Sequence, residues 1–258
     1  MALVAGGGAG HEPAHAAYVG QGLLTAAVSG FIFASPSVAQ ILRSIVRVGG
    51  EAGTILIIKN YTGDIFHFNL AAEKARAIHG LKVEVIVVGD DVSVGRKKGG
   101  KVGRRGLAGT VLVHKVLGAV SQSSGRSFKE ILEIGKSVAE NLVTVGVSLG
   151  HVHIPGRPVH DQILREDQVE IGMGIHNEPG CQILRPQPNL DSILEIMLNQ
   201  LLDTADEDRA FVNFARAEKV VLLVNNLGGL SVLELSAITK RVYDRLGMSL
   251  SRSNTCNL

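Results

Sequence analysis

The chain has 258 residues, of which 45% are hydrophobic and 19% are charged, and its formal net charge is +2. This length allows one large or two modest domains, and the small charge excludes a strong field for nucleic acid or anionic lipid. No run reaches the roughly 20 apolar residues that a membrane-spanning helix needs. Cys181 and Cys256 are too few for a disulfide framework, so we expect a cytoplasmic protein.

Short apolar runs alternate with amphipathic helical patterns, which predicts an α/β fold with mixed, largely parallel sheets. Val4 and Ala5 are predicted to be the stub of a strand, Gly6 to Gly10 a tight turn, and a short helix begins at Pro13. Further strands are predicted at 23–28, 54–59 and 83–88. Helices are predicted at 37–47, 64–79, 110–120 and 127–141. The last of these opens with a capping box, and the glycine- and lysine-rich run 89–106 is predicted to be a loop.

The pattern changes near residue 144, where we place a boundary between two α/β subdomains, 1–144 and 145–258. Strands are predicted in the second subdomain at 145–149, 169–175 and 220–224. Helices are predicted there at 190–202 and 231–246. The first strand has no preceding element, and residues 250–258 have no core pattern. We therefore expect both subdomains to be incomplete.

The first motif that could form a functional site is the glycine run Gly6–Gly10, followed by His11 and Glu12. Glycines after a strand let backbone N–H groups face a ligand, and a histidine beside them can serve proton chemistry or polar recognition. The run is not a dinucleotide fingerprint, because that pattern needs a third glycine where His11 stands. The alternative interpretation is a tight strand-to-helix connection with a surface histidine.

The second motif, Lys59 to Asp64, follows the strand predicted at 54–59. Ligands of open α/β sheets bind at the carboxyl ends of strands, where a lysine and an aspartate can orient and deprotonate a substrate hydroxyl. Alternatively, Thr62 and Asp64 are turn and helix-capping residues. The third motif, Gly172 to Gly180, carries His176 at another strand end. Taken alone, a histidine after a strand is more often a structural hydrogen-bonding residue than a nucleophile.

Two further patterns are not expected to be functional sites. Gly95 to Val102 matches a P-loop up to Val102, where Ser or Thr must hold Mg²⁺, so we reject a nucleotide site there. His151 and His153 share a face of an extended segment and, with His160, resemble a metal site. Since no compact ligand cluster surrounds them, we interpret them as a structural connection and predict no metal. Cys181 is interpreted as an ordinary small residue.

The motifs together are more specific than any one of them. From residue 2 to about residue 245 the chain resembles the substrate-binding domain of the dihydroxyacetone kinases. The resemblance is carried by GGGAGHEPAH, KNYTGD, VGDDV, GRRGLAGTVLVHKV, GMGIHNEPG and VNNLGGLSVLEL. The pair HVHIPGR and GIHNEPG is more similar to the ATP-dependent, single-chain kinases than to those phosphorylated by a sugar phosphotransferase system. The family's domain begins before this chain and continues past it.

The resemblance implies a role for each motif. The ketone carbonyl would be held as a hemiaminal on His176, and Asp64 and His11 would take the proton of the hydroxyl that attacks the γ-phosphate. The residues that would contact and orient the substrate are Gly7, Gly8 and Lys59, together with His11 and Asp64.

The resemblance also implies what lies outside this chain. ATP and Mg²⁺ would be bound by a separate helical domain, so we expect this chain alone to be inactive as a kinase. The family further implies a homodimer, a role in glycerol and dihydroxyacetone metabolism, and glyceraldehyde as an alternative substrate. A rival hypothesis is a non-catalytic module that binds dihydroxyacetone and contacts a regulator. Cyclisation of FAD, as in some animal relatives, depends on the nucleotide domain.

Overall fold

The computed structural model describes residues 1–123, 125–158, 164–214 and 219–247. The strands in these ranges are β1 (Ala2–Ala9), β2 (Ala26–Ile32), β3 (Thr54–Lys59), β4 (Val83–Val88), β5 (Val147–Ser148), β6 (Val169–Ile171) and β7 (Gln182–Leu184). The helices are α1 (Val38–Val48), α2 (Thr62–His79), α3 (Arg96–Gly99), α4 (Thr110–Gln122), α5 (Phe128–Glu140), α6 (Leu190–Leu202) and α7 (Val232–Arg245), and a 3₁₀ turn covers Ala16–Tyr18.

The first sheet is parallel throughout, in the order β2-β1-β3-β4. Alternate side chains of its central strands enter two different cores, because successive residues of a strand point to opposite faces. Leu3 and Ile55 pack with α4 and α5, whereas Val4 and Leu56 pack with α1 and α2. Helices thus cover both faces, as predicted for the α/β class, and the carboxyl ends of all four strands meet at one edge.

Local sequence signals located several elements correctly. The structure has β3, β4 and α6 with the predicted bounds. The capping box of α5 is present, since Ser127 accepts a hydrogen bond from the amide of Glu130 and the Glu130 carboxylate accepts one from the amide of Ser127. α2 ends at Gly80, whose φ of 63° is the left-handed conformation that glycine adopts readily.

The glycine run differs from the prediction, because β1 continues to Ala9 and no turn begins at Gly6. Gly6 pairs with Val28 of β2 and with Ile58 of β3. A Cβ on Gly6 would collide with the Val28 carbonyl and lie 2.9 Å from the Phe68 ring. Glycine therefore allows close packing inside the strand here. The predicted helix from Pro13 is only the 3₁₀ turn, and β2 begins later than predicted.

The second sheet is antiparallel in both of its pairings, in the order β5-β6-β7. The largely parallel arrangement therefore holds for the first sheet only. The strands of the second sheet are shorter than predicted: β6 ends before Gly172, whose φ of 78° turns the chain. The strand β7 was not predicted. A third core forms around Val92, Val169 and Ile171, and because Val92 precedes residue 144, the division into two subdomains stays a prediction.

One predicted strand is wrong. Residues 220–224 form no strand, and Val221 is 79% exposed. An apolar run becomes a buried strand only when a neighbouring strand pairs with it, and no described strand does so here. The predicted loop at 89–106 contains the short helix α3, and the tail 250–258 lies outside the described residues. Among the helices that the structure describes, none is long and apolar enough to cross a membrane.

Candidate active site

The three motifs meet at the edge where the strands of the first sheet end. Nε2 of His11, beyond β1, lies 3.1 Å from Nε2 of His176, which follows β6. Lys59 is the last residue of β3, and Asp64 is in the first turn of α2. Both are buried, at 5% and 4% exposure. The parallel sheet thus brings His11, Lys59 and Asp64 to one edge, and the turn after β6 brings His176 to the same place.

Aromatic rings surround His176. The ring of Tyr61 lies edge-on at 4.9 Å between centroids, and that of Phe33 lies edge-on at 5.5 Å. Phe33 also stacks on His11 at 4.9 Å. The Tyr61 hydroxyl donates to the carbonyl of Gly106, which fixes the ring, and burial raises the pKa of this phenol. Two aromatic rings therefore enclose the His176 imidazole edge-on, and His11 lies at its Nε2.

Glu178 fixes the orientation of His176, although the sequence reasoning did not single it out. The backbone amide of His176 donates to Glu178 Oε2, and the His176 Nδ1–H donates to Oε1, both at 2.9 Å. Burial raises the pKa of Glu178, but these hydrogen bonds outweigh burial and lower that pKa to about 2. An ionised carboxylate only accepts hydrogen bonds, so Nδ1 carries the proton and Nε2 of a neutral His176 keeps its lone pair.

The turn that carries these residues is attached to a neighbouring segment. Asn177 has a φ of 62°, a left-handed conformation that asparagine tolerates, and this lets Glu178 fold back on His176. Its side chain accepts from the amide of Val152 at 2.9 Å and donates to the carbonyl of Val152 at 2.7 Å. The stretches HVHIPGR and GIHNEPG, which the sequence analysis grouped together, are thus in direct contact.

His11 is a neutral hydrogen-bonding group in this pocket. Burial is the main cause that lowers its pKa to about 3, followed by the charge of Lys59. Because His176 offers a lone pair at Nε2, the short contact between the two rings requires that His11 donate from its own Nε2–H. This lowered pKa favours the predicted orienting role of His11 over that of a base near neutral pH.

Asp64 has the properties of a base. Burial raises its pKa, against the opposing effects of a hydrogen bond from Ser35 and the charge of Lys59. Its Oδ1 is buried and has no hydrogen-bond partner among the described residues. Burial also lowers the pKa of Lys59, while the Asp64 carboxylate opposes this. The charges of these two buried residues thus act on each other, and that of Lys59 also acts on His11.

Gly7 and Gly8 form the floor of the site. A Cβ on Gly7 would lie 3.7 Å from Asp64 Oδ2, 3.7 Å from His15 Nε2 and 3.8 Å from Lys59 Cε, so three polar side chains border the space that this glycine leaves. A Cβ on Gly8 would lie 2.7 Å from the amide nitrogen of Ala34. Close backbone packing therefore already requires glycine at position 8, and its predicted contact with substrate stays a prediction.

A buried ion pair supports the strand end that leads to His176. Arg105 pairs with Asp91 at 2.7 Å and donates to the carbonyl of Gly172 at 2.6 Å. Ser93 donates to the same Asp91 carboxylate at 2.6 Å. Asp91 lies in VGDDV and Arg105 in GRRGLAG, so two stretches that carried the resemblance without an assigned role hold the third motif in position.

The patterns that were not expected to be functional have structural partners. In the P-loop-like run, the amide of Arg96 donates to the backbone carbonyl of Asp208, and the amide of Lys97 donates to the Asp208 carboxylate.

The histidines of the suspected metal site also have structural partners. His151 is hydrogen-bonded to Glu170 at 2.8 Å, and His153 to the carbonyl of Arg157 at 2.9 Å. His160 lies outside the described residues, and the described part of the chain contains no group of three metal-ligating side chains. Cys181 packs against the third core.

The chain is similar to known proteins of one family. A family model described as the Dak1 domain matches residues 1–254. Dihydroxyacetone kinase 1 of Saccharomyces cerevisiae is 53% identical over 250 residues, and the match covers 95% of this chain but 42% of the yeast protein. This chain thus spans about two fifths of that relative's length.

Two solved proteins are also similar. The crystal structure of the dihydroxyacetone kinase of C. freundii, in its native form, has a TM-score of 0.82 and 40% identity, covering 95% of this chain and 42% of that one. The same kinase has been crystallised with AMP-PNP and Mg²⁺. The dihydroxyacetone kinase operon co-activator DhaQ has a TM-score of 0.85 and 36% identity, covering 97% of this chain and 75% of that one.

Proposed function

The chain belongs to the Dak1 domain family, and from this premise we propose that it is the substrate-binding part of a dihydroxyacetone kinase that holds its ketone covalently on His176. The observation that carries the proposal is the hydrogen-bonded orientation of His176. Glu178 accepts from Nδ1, so in the neutral imidazole the lone pair is on Nε2, the atom that faces His11. An imidazole nitrogen in this state is a nucleophile suited to a carbonyl carbon.

The covalent step balances in charge. Attack of Nε2 on C2 of dihydroxyacetone forms the N–C bond and breaks the carbonyl π bond. The imidazole becomes positively charged beside the Glu178 carboxylate, and the oxygen becomes an alkoxide that can accept from the His11 N–H. Loss of the Nδ1 proton and gain of one proton by the oxygen give a neutral hemiaminal. A small ketone, which offers few contacts, is thereby fixed in one orientation.

The buried carboxylate of Asp64 is the proposed base for the terminal hydroxyl of the bound ketone. Its raised pKa makes it a better proton acceptor than an ordinary aspartate, and Lys59 beside it can hold the substrate oxygen. We propose that ATP and Mg²⁺ are held by another domain. In the P-loop-like run the backbone amide of Lys97 donates to Asp208, and the residues described contain no group of three metal-ligating side chains. That other domain would therefore supply the nucleotide and metal chemistry.

Binding of [2-¹³C]dihydroxyacetone to the purified chain, followed by ¹³C NMR, tests the proposal. We expect the C2 resonance to move from the carbonyl region to that of a tetrahedral carbon, and native mass spectrometry to detect one ketone per chain. His176→Ala removes the nucleophile and should abolish both signals, whereas His153→Ala, at an exposed histidine, should retain them. A tetrahedral carbon that persists in His176→Ala would disprove the assignment.

A second candidate function is a regulatory module that binds dihydroxyacetone without phosphorylating it. The similarity to a co-activator, of which this chain covers 75%, favours it. Both candidates need the same ketone site, so binding does not separate them. We expect phosphorylation of dihydroxyacetone when this chain is mixed with MgATP and the helical nucleotide domain of a related kinase. No turnover, with the adduct intact, would favour the regulatory module.

A further inference from the structure

Behind the glycine floor lies a pair of histidines that the mechanism above does not use. His15 is 4% exposed and His114, on α4, is 0% exposed. His15 Nδ1 lies 3.0 Å from His114 Nε2. The other nitrogen of each ring, His15 Nε2 and His114 Nδ1, is buried and has no partner among the described residues. Of these two, His15 Nε2 borders the space beside Gly7.

Both rings are neutral near neutral pH. Burial lowers the pKa of His114 to about 3, with a further contribution from Lys59, and burial, His114 and Lys59 keep the pKa of His15 well below its usual value. A neutral imidazole carries one proton, so the single hydrogen bond between the rings couples their tautomers.

Each of the two coupled arrangements leaves one buried N–H without a partner among the described residues. If His15 donates from Nδ1, the proton of His114 sits on Nδ1, and if His114 donates from Nε2, the proton of His15 sits on Nε2. Of these two buried N–H groups, only that of His15 lies beside Gly7, where a bound group can accept from it. An acceptor bound there therefore favours the arrangement in which His15 donates from Nε2.

His15 Nε2, Asp64 Oδ2 and Lys59 Cε lie 3.7, 3.7 and 3.8 Å from the position that a Cβ on Gly7 would take, so all three border the same point of the site. An oxygen there can accept from the histidine and donate its own proton to the carboxylate, and a hydroxyl does both. We propose that His15 is a further substrate-contacting residue that donates to the substrate hydroxyl facing Asp64, with His114 as its positioning residue. The identity of the substrate rests on the proposed function; the contact itself does not require the covalent step.

A paired substitution separates this role from a structural one. His15→Phe/His114→Phe keeps both ring shapes and removes both polar groups, a change that is often neutral or stabilising for a buried hydrogen bond. We expect the double variant to unfold at the same or higher urea concentration than the parent, yet to bind dihydroxyacetone about 5- to 10-fold more weakly. The control His79→Phe alters an exposed histidine of α2 and should bind normally. Undiminished affinity in the double variant would overturn the proposal.

A second measurement tests the contact between His15 and the substrate hydroxyl. It depends neither on the covalent adduct nor on the folding of the double variant. Histidine ¹⁵N NMR of His176→Ala, which cannot form the hemiaminal, should show the proton of His15 on Nε2 when dihydroxyacetone or glycerol is bound. Its resonance should move when dihydroxyacetone or glycerol is added. Movement without any tetrahedral ¹³C signal in the parent would support His15 while contradicting covalent binding. A tetrahedral signal in the parent with an unmoved His15 resonance would overturn the His15 contact and leave the proposed function standing.

Discussion

Nε2 of His11 and Nε2 of His176 lie 3.1 Å apart although 165 positions separate the two residues. In this contact the Nε2–H of His11 donates to the Nε2 lone pair of His176, the proposed nucleophile. A carbonyl group entering the pocket can replace it, so that the carbon meets His176 and the oxygen meets the N–H of His11. The same donor would then serve both the free protein and the bound ketone, and little rearrangement is needed on binding.

Glu178→Gln should slow adduct formation. The amide keeps the size of the side chain but removes the charge that faces the imidazolium, and a hydrogen bond to a charged group contributes about 1.5–3 kcal/mol. We expect the rate of appearance of the tetrahedral ¹³C signal to fall about 10- to 100-fold. Glu73→Gln, at an exposed residue of α2, is the matched control. An unchanged rate in Glu178→Gln would show that the charge of Glu178 does not assist attack by His176.

Asp64→Asn should separate binding from proton transfer. The asparagine keeps the shape of the side chain and cannot accept the hydroxyl proton. With a matching nucleotide domain supplied, turnover should fall by about 10²-fold or more. The ¹³C adduct on His176 should survive, which the same sample can show. If turnover is unaffected, Asp64 serves only the first turn of α2.

Arg105→Met should destabilise the protein. Asp91 is fully buried, and removal of one partner of a buried ion pair costs about 3–5 kcal/mol because the other charge is left uncompensated. Arg185→Met breaks an exposed pair with Asp167 and should cost about 1 kcal/mol or less. Urea unfolding of both variants at the same pH provides the comparison, and equal costs would contradict a structural role for the Arg105–Asp91 pair.

Stability should fall as the pH decreases below neutral, because of the buried histidine pair. In the unfolded chain His15 and His114 bind protons near their ordinary pKa of 6.5, whereas folding lowers both pKa values, that of His114 to about 3. Below about pH 6.5 the unfolded state therefore binds more protons, and the loss continues down to the folded pKa values. Between about pH 7 and about pH 5 each histidine should cost on the order of 1–2 kcal/mol.

The double variant His15→Phe/His114→Phe provides the reference for this effect. It removes both groups, so its urea midpoint should depend less on pH than that of the parent over the same interval. Parallel pH profiles for the two proteins would mean that the pair is protonated in the folded state or does not titrate differently on unfolding.

Features that depend on nearby residues could be predicted from the sequence. The β-branched runs at 54–59 and 83–88 and the capping box at Ser127 produced elements with predictable bounds, because side-chain alternation and helix caps act within a few residues. The resemblance carried by the motifs also implied that His11, Lys59, Asp64 and His176 form one site. The first three converge because β1 and β3 are parallel and end at a common edge, which His176 reaches from the turn after β6.

The contacts between distant groups could not be predicted in this way. The glycines of β1 form strand rather than turn because β2 and β3 pair with them on both sides, and 220–224 is no strand because no described strand pairs with it. The contacts of Arg105 with Gly172 and of His15 with His114 span 67 and 99 positions. Such contacts are set by the path of the chain, to which the sequence spacing of the partners bears no regular relation.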